Sequence, residues 1–353
     1  MVLTVYLTLA FINITVSYEI PFRLFIEYDY EDIHYGIPFN EYYQNLEKRY
    51  VGFGNSSFFP SYVLTGHIPP YQPGNDKRVV ITGGSANHFR SIFTNMLSVL
   101  NASATINLVF IDFGISDEQL LSLRTSFSYL HQIHLAMNCN SFIAYRKFNF
   151  QTAPSWMNIH NSNEHGGYAW KIIGILDVLD EWKSLTAWMD AGNIVYDGLD
   201  TEFNYAITEG IYTPTRAKPG DVFGRWTHPK MLEFFYQYKL ISHVNMNSPN
   251  CAAGHIFIDY HNQTVMNAII TPWRYCVYTK RCVLPNNSSR KTHRWEQAAL
   301  NTLLHNLNLT YANNPKYKHF PLLRQEDKPS KFLNKKIKYL KKDISRRNNI
   351  VIP

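Results

Sequence analysis

The stretch SLTAWMDAGNIVYDG, Ser184 to Gly198, decides how this chain folds. An apolar run, Leu185 to Met189, ends on a single carboxylate, Asp190, and Ala191 and Gly192 follow at once. A buried strand ends on an acid when the acid has a partner or a task, because a buried, unpaired carboxylate is costly. The plain alternative is an acid satisfied by its own turn. Immediately upstream, YAWKIIGILDVLDEW places Ile172, Ile175, Leu176, Leu179 and Trp182 on one helical face. Further upstream, RVVITGG is a short β-branched run stopped by two glycines, and SANHFRSIFTNMLSVL has helical spacing at Phe89, Phe93, Met96, Leu97 and Leu100. INLVFIDFG is a second strand, and SDEQLLSLRTSF opens a helix with Ser116 as its cap. Strand, helix, strand, helix predicts an α/β domain with a mostly parallel central sheet. Ligands of such sheets bind outside the carboxyl ends of the strands, which is where Asp190 falls. Gly192 has no side chain and leaves room for a close approach.

The chain has 353 residues, 45% of them hydrophobic, enough for one large core or two fused domains. Charged residues are only 17%, which excludes a disordered or supercharged protein. The net charge of +7 suggests a polyanion partner until it is located. Lys331 to Arg347 holds eight Lys or Arg and one Asp, which accounts for the whole excess. The body therefore has no net field for nucleic acid, and no nucleic-acid partner is expected. In that tail Leu333, Ile337, Leu340 and Ile344 recur at helical spacing. They predict a docked amphipathic helix, with membrane-surface or partner binding as the alternative.

Val2 to Val16 is mostly apolar and uncharged, too short for a membrane span but suited to a signal peptide or signal anchor ending at Ser17. A buried N-terminal strand is the alternative. Glycosylation sequons stand at Asn13, Asn55, Asn101, Asn262, Asn286, Asn287 and Asn308, which favours a secretory route. No C-x-x-C pair occurs, so a zinc ribbon is not expected. Cys276 and Cys282 flank the segment VYTKR, and in an oxidising lumen they would bridge; two free thiols are the alternative. Pro60, Pro69, Pro70 and Pro73 mark an extended connector. The expected organisation is a signal segment over 1–17, an extension and linker over 18–77, a catalytic domain over 78–315 and a basic tail over 316–353. There is no Walker loop, no G-x-S-x-G elbow and no H-E-x-x-H helix. His160 and His165 are five residues apart, a spacing that does not align them on one helical face.

AWMDAGN resembles the Asp-x-Asp strand end of nucleotide-sugar transferases with the GT-A fold, with Gly192 in the place of the second acid. VVITGGSANHF resembles the first strand and nucleotide loop of that fold, and NLVFIDFGIS its second strand and turn. NCAAGHIFIDY is similar to its small-residue loop and following strand, and RKTHRWEQAALNTLL to its late acidic-Gln helix. PWRYCVYTKRCVLPNNSSRKTHRWEQAAL resembles a eukaryotic glycosyltransferase-like group, domain of unknown function 1647. The resemblance covers roughly residues 78 to 310 and implies a Rossmann-like GT-A fold.

What it implies about function is a glycosyltransferase of the secretory pathway, in Golgi or endoplasmic reticulum, moving a sugar from a nucleotide-sugar donor to a glycan or glycoprotein. Asp190 would hold a divalent cation, Mn²⁺ or Mg²⁺, or a donor hydroxyl. With Gly192 beside it, fixed cations are the alternative, drawn from Arg294, His293, Lys291 and Lys171. Glu296 would serve as general base toward the acceptor, or else as a helix N-terminal acid favoured by the dipole. Thr82 and Asn87 would contact base or ribose, with ordinary turn and cap chemistry as the alternative. Ala253 and Gly254 would give the sugar room, or else form a plain tight turn, and Gln297 matches the Gln of the late helix. Lys171 by default would face solvent. A catalytically inactive glycan- or nucleotide-binding module, and a secreted adhesion protein, are the competing readings.

Overall fold

The computed structural model describes residues 62–63, 78–102, 106–120, 143–148, 150, 153–160, 164–195, 199–214, 221–309 and 323–325. The signal segment expected over 1–17 and the tail helix expected over 331–347 lie outside them. Among the described residues no helix is long and apolar enough to cross a membrane.

In chain order the elements that build the site are β1 (Tyr62–Val63), β2 (Val79–Gly84), α1 (Phe89–Ala102), β3 (Asn107–Asp112), β4 (Ile143–Lys147), α2 (Ala169–Trp182), β5 (Leu185–Asp190) and β6 (Asn193–Val195). They are followed by α3 (Leu199–Glu209), β7 (Ile211–Tyr212), α4 (Pro229–Gln237), β8 (His255–Asp259), α5 (Thr271–Tyr278), α6 (Lys280–Val283), α7 (Trp295–Asn306) and β9 (Leu323–Gln325). The main sheet runs β1-β4-β3-β2-β5-β8-β7. Its central strands β4, β3, β2 and β5 are mutually parallel, as the strand–helix alternation predicts. β8, β7 and the edge pair β1 join antiparallel. Two pieces from segments expected to flank the domain join it: β1 pairs with β4, and β9 pairs with β6.

The period-two alternation of the strands splits the core between two faces. Ile81, Val109, Ile111, Trp188, Ile256 and Ile258 face one layer, with α2, α5 and α7 packed on it. Val80, Leu108, Phe110, Ala187, Met189 and Phe257 face the other, under α1 and α3. On α1 the buried stripe includes Ile92, Met96 and Val99; the side chains of Phe93, Leu97 and Leu100 lie outside the described set. α2 is buried nearly all round: beyond the expected stripe, Ile173 and Val178 are also covered. Ser116 does cap its helix, accepting from Gln119 N at 3.2 Å while Gln119 Oε1 accepts from Ser116 N at 3.0 Å, a capping box. Cys276 and Cys282 are disulfide-bonded and buried, joining the end of α5 to α6, while Cys251 is a free buried thiol.

One buried acid sits far from this scheme. Glu202 on α3 is 1% exposed, and neither carboxyl oxygen has a hydrogen-bond partner among the described residues. Burial pushes its carboxyl up from 4.5 to about 8. Below pH 4.5 folded and unfolded chains both hold the proton, so the ionisation penalty of burial is absent there. As pH rises the unfolded state releases it first, and stability falls until about pH 8. Glu202→Gln should therefore stabilise the chain by about 3 kcal/mol at pH 7, at 1.36 kcal/mol per pH unit. In thermal melts the gain should grow from pH 4.5 to 8 and vanish below 4.5; a pH-independent difference would exclude this origin.

Candidate active site

The carboxyl ends of the parallel strands open on a cavity of about 780 Å³, within the range of small-ligand sites. Gly83 and Gly84 of β2, Asp190 of β5, Ala191 and Gly192 of the turn beyond it, and Ala253 and Gly254 before β8 line it. Lys171, Tyr168 and Trp170 come from the start of α2, and Arg294, Trp295, Glu296 and Gln297 from the start of α7.

Two central strands end on an acid, and the two acids differ. Asp112 at the end of β3 is satisfied by its own turn, accepting from Gly114 N at 2.7 Å and Ile115 N at 2.8 Å. Asp190 is not: its Oδ1 accepts from Trp188 Nε1 at 2.7 Å and lies 3.6 Å from Lys171 Nζ. Its side chain remains 32% exposed, open to the cavity.

Lys171 does not face solvent. It is 4% exposed because α2 is enclosed on all sides, and its ammonium reaches Glu296 Oε1 at 2.9 Å and donates to Ala253 O at 3.0 Å. Burial alone would lower its pKa, but Asp190 and then Glu296 outweigh that, and the net shift is upward. The amine is held charged. Burial raises the Glu296 carboxyl, Lys171 draws it back, and the net is upward.

The loop that carries Ala253 is fixed from α7 and from the first residue of β6. Gln297 Nε2 donates to Cys251 O at 2.6 Å, and Asn301 Oδ1 accepts from Cys251 N at 2.6 Å. Asn193 Nδ2 donates to Gly254 O at 2.6 Å. A Cβ on Gly254 would stand 3.1 Å from Asp190 Oδ2, so a bare backbone there leaves that oxygen its place. Asn87 lies exposed at the cavity, its Oδ1 accepting from Ser85 Oγ at 2.7 Å.

Two of the expected donor contacts are elsewhere. Thr82 is fully buried inside β2 and lines no part of the cavity; β2 presents its next two residues, Gly83 and Gly84, instead. His293 is also fully buried: its Nδ1 accepts from His228 N at 3.2 Å, and its Nε2 lies 3.2 Å from Val283 O. Burial lowers it to about 4, so at neutral pH it is an uncharged structural group and not a fixed cation. Lys291 is exposed and off the cavity, whereas Arg290 and Arg294 line it, with Arg294 over the Trp226 ring at 4.5 Å.

Sequence reasoning missed the wall made by residues 165–168. His165, Gly166, Gly167 and Tyr168 all have positive φ, 48°, 61°, 58° and 55°, a single left-handed turn that leads into α2. A Cβ on Gly166 would stand 2.1 Å from Met157 O, so no other residue fits there. The turn costs roughly 1–2 kcal/mol at each of His165 and Tyr168. It sets His165 and Tyr168 on the cavity, with Tyr168 5.5 Å from both Trp170 and Trp295, ring centre to ring centre. The signal for it was the Gly-Gly pair.

The residues do not fit a metal clamp. A divalent ion on Asp190 would stand against the Lys171 ammonium, and Gly192 contributes no carboxylate. Among the described residues no group of three His, Cys, Asp or Glu side chains converges on a point.

No protein-family model matches this chain, and no curated protein matches it. Solved structures do resemble it. WbbM, a bifunctional glycosyltransferase, is 13% identical over 68% of this chain, with a TM-score of 0.42, and the match spans only 39% of that protein. The galactosyltransferase LgtC, solved with donor and acceptor sugar analogues, is 13% identical over 74% of this chain and 94% of its own, with a TM-score of 0.38. Core-mannan synthase A of Aspergillus fumigatus, in a Mn/GDP form, is 10% identical over 75% of this chain and 80% of its own, with a TM-score of 0.39. The likeness is loose, and the chemistry of the site rests on this chain's own geometry.

Lys171→Ala would leave Glu296 buried beside an empty space. It should cost about 3–5 kcal/mol of stability in denaturant titrations. Adding Glu296→Gln should recover part of that loss; equal stability of single and double variants would mean that the pair is not coupled.

Proposed function

We propose that the chain is a glycosyltransferase of the GT-A type, taking a nucleotide-sugar donor and a glycan or glycoprotein acceptor in the secretory pathway. One observation carries this: the end of a central parallel strand delivers Asp190, half open, into a cavity that also holds the Lys171–Glu296 pair and two arginines. A binding site at that end of an α/β sheet is where the fold places ligands. The Cys276–Cys282 bridge supports an oxidising compartment.

In the transfer the acceptor hydroxyl oxygen bonds to the anomeric carbon as the bond to the diphosphate breaks, and the hydroxyl proton passes to the departing diphosphate oxygen or to water in the cavity. The diphosphate leaves with the electron pair and needs positive charge, which Arg290 and Arg294 supply on the exposed side. The open oxygen of Asp190 accepts from a donor hydroxyl, while its other oxygen is held by Trp188. Glu296, given over to Lys171, positions that ammonium and is a poor candidate for the base toward the acceptor. Gly83, Gly84, Gly192 and Gly254 keep the walls bare where the donor would lie. Asn87 is available to ribose or base, and Tyr168 and Trp295 offer ring faces.

A catalytically inactive nucleotide- or glycan-binding module is favoured by one fact, that both carboxylates already face an ammonium. A panel of nucleotide sugars separates the two. The transferase should slowly hydrolyse one donor, and Asp190→Asn should lower that rate about 100-fold. Arg290→Ala with Arg294→Ala should weaken calorimetric binding of the matching nucleoside diphosphate about tenfold, since each arginine removes a charge-assisted contact. Binding without turnover would establish the module; neither binding nor turnover would exclude both.

A further inference from the structure

Three oxygens from three elements converge on one point at the buried side of the cavity: Glu296 Oε1 from α7, Asp190 Oδ1 from β5 and the Ala253 carbonyl from the loop before β8. Two carboxylates and a carbonyl are the ligand types that hard divalent cations take. Here the point is filled by Lys171 Nζ, at 2.9, 3.6 and 3.0 Å from those oxygens. Two of its N–H donors reach Glu296 Oε1 and the Ala253 carbonyl at hydrogen-bond distance, and Asp190 Oδ1 faces the ammonium as an ion pair.

We propose that Lys171 is a built-in replacement for a metal ion, and that the chain binds no divalent cation through Asp190 while this ammonium is in place. The inference rests on the donor-cavity reading only for its use, the supply of positive charge without metal; the geometry stands without it. The stem of Lys171 leaves a helix start packed among Ala169, Trp170, Ile172 and Ile173, and the residue is 4% exposed, so the amine is held at this point by its surroundings. Trp188 covers it at 5.8 Å from ring centre to Nζ and also fixes the Asp190 oxygen that it faces. A divalent ion brought to Asp190 Oδ1 would meet the like charge of the buried Lys171 ammonium, 3.6 Å from that oxygen. Beyond Asp190 and Glu296, both already facing the ammonium, position 192 is glycine and adds no further carboxylate to offset this.

The test is Mn²⁺ binding without nucleotide, read from loss of the free-ion electron paramagnetic resonance signal on the purified full chain. Wild type and Asp190→Asn should deplete Mn²⁺ equally. Lys171→Ala should gain a Mn²⁺ site, and Lys171→Ala with Asp190→Asn should lose it again. A wild-type site that Asp190→Asn removes would overturn the proposal, and so would a Lys171→Ala chain that melts cooperatively yet gains no site. If Lys171→Ala does not fold, the comparison of wild type with Asp190→Asn decides alone, because Asp190 lies outside the core. Donor turnover is not read in this experiment. A chain with this Mn²⁺ pattern that hydrolyses no donor would sink the transferase and leave the lysine inference standing.

Discussion

The ammonium of Lys171 is the interaction on which the site's construction turns. A buried amine is tolerable only if opposite charge and hydrogen-bond acceptors surround it, because desolvating it alone costs several kcal/mol. α2 brings the amine, β5 and α7 bring a carboxylate each, and the loop at Ala253 brings a carbonyl. β5 is otherwise held by its sheet hydrogen bonds and the Ala253 loop by Gln297, Asn301 and Asn193, whereas α2 and α7 lie on them through side-chain packing that would tolerate small shifts. The charge cluster does not, since a movement of any one piece uncovers a charge. It therefore fixes how the helix layer sits on the strand ends, which is what gives the cavity a defined shape.

The rest of the wall is held by strain offset elsewhere. The left-handed turn at 165–168 is unfavourable for His165 and Tyr168, and Trp295 too has a positive φ, of 45°. Residues in such conformations persist when the surroundings over-determine them. Here the Trp170 indole donates to His165 O at 2.9 Å, and the Trp273 indole donates to Glu296 O at 3.1 Å, next to Trp295. Strained residues thus stand at the entries to the two helices that carry Lys171 and Glu296. Relaxing either entry would re-aim one half of the ion pair.

Much of the frame was legible in the sequence because local rules decide it. β-branched runs closed by Gly-Gly, the apolar face of α2, the capping box at Ser116 and the strand ending on Asp190 all have short-range signatures. The spacing of Cys276 and Cys282 left a bridge and two free thiols both open, and the structure has the bridge. What was not legible depends on which buried group meets which. Nothing local distinguishes Asp112, closed by its own turn, from Asp190, left to Lys171. Lys171 looked like a surface lysine because the apolar stripe of α2 was read as one face. The signal was that Trp170, Ile172 and Ile173 flank it, so the helix has no polar face there for it to occupy. His293 and Thr82 belong to the same class of error: polar residues within a motif, placed inward by the register of their elements.

Gly192 and Lys171 are then two aspects of one electrostatic arrangement. With Lys171 charged, the cluster of Asp190, Glu296 and Lys171 carries one net negative charge. A carboxylate at 192 would add a second at the same strand end, next to the cavity proposed for an anionic ligand, and like charges crowded together disfavour ionisation. Glycine removes that burden and opens the backbone at the same stroke. Arg290, which is exposed, and Arg294 line the same cavity and would offer the positive charge that the proposed phosphate-bearing ligand needs. A ligand with an anionic end and a hydroxyl-rich end would be oriented by these two sets of groups. Its phosphates would sit against the arginines, and its hydroxyls against the open oxygen of Asp190.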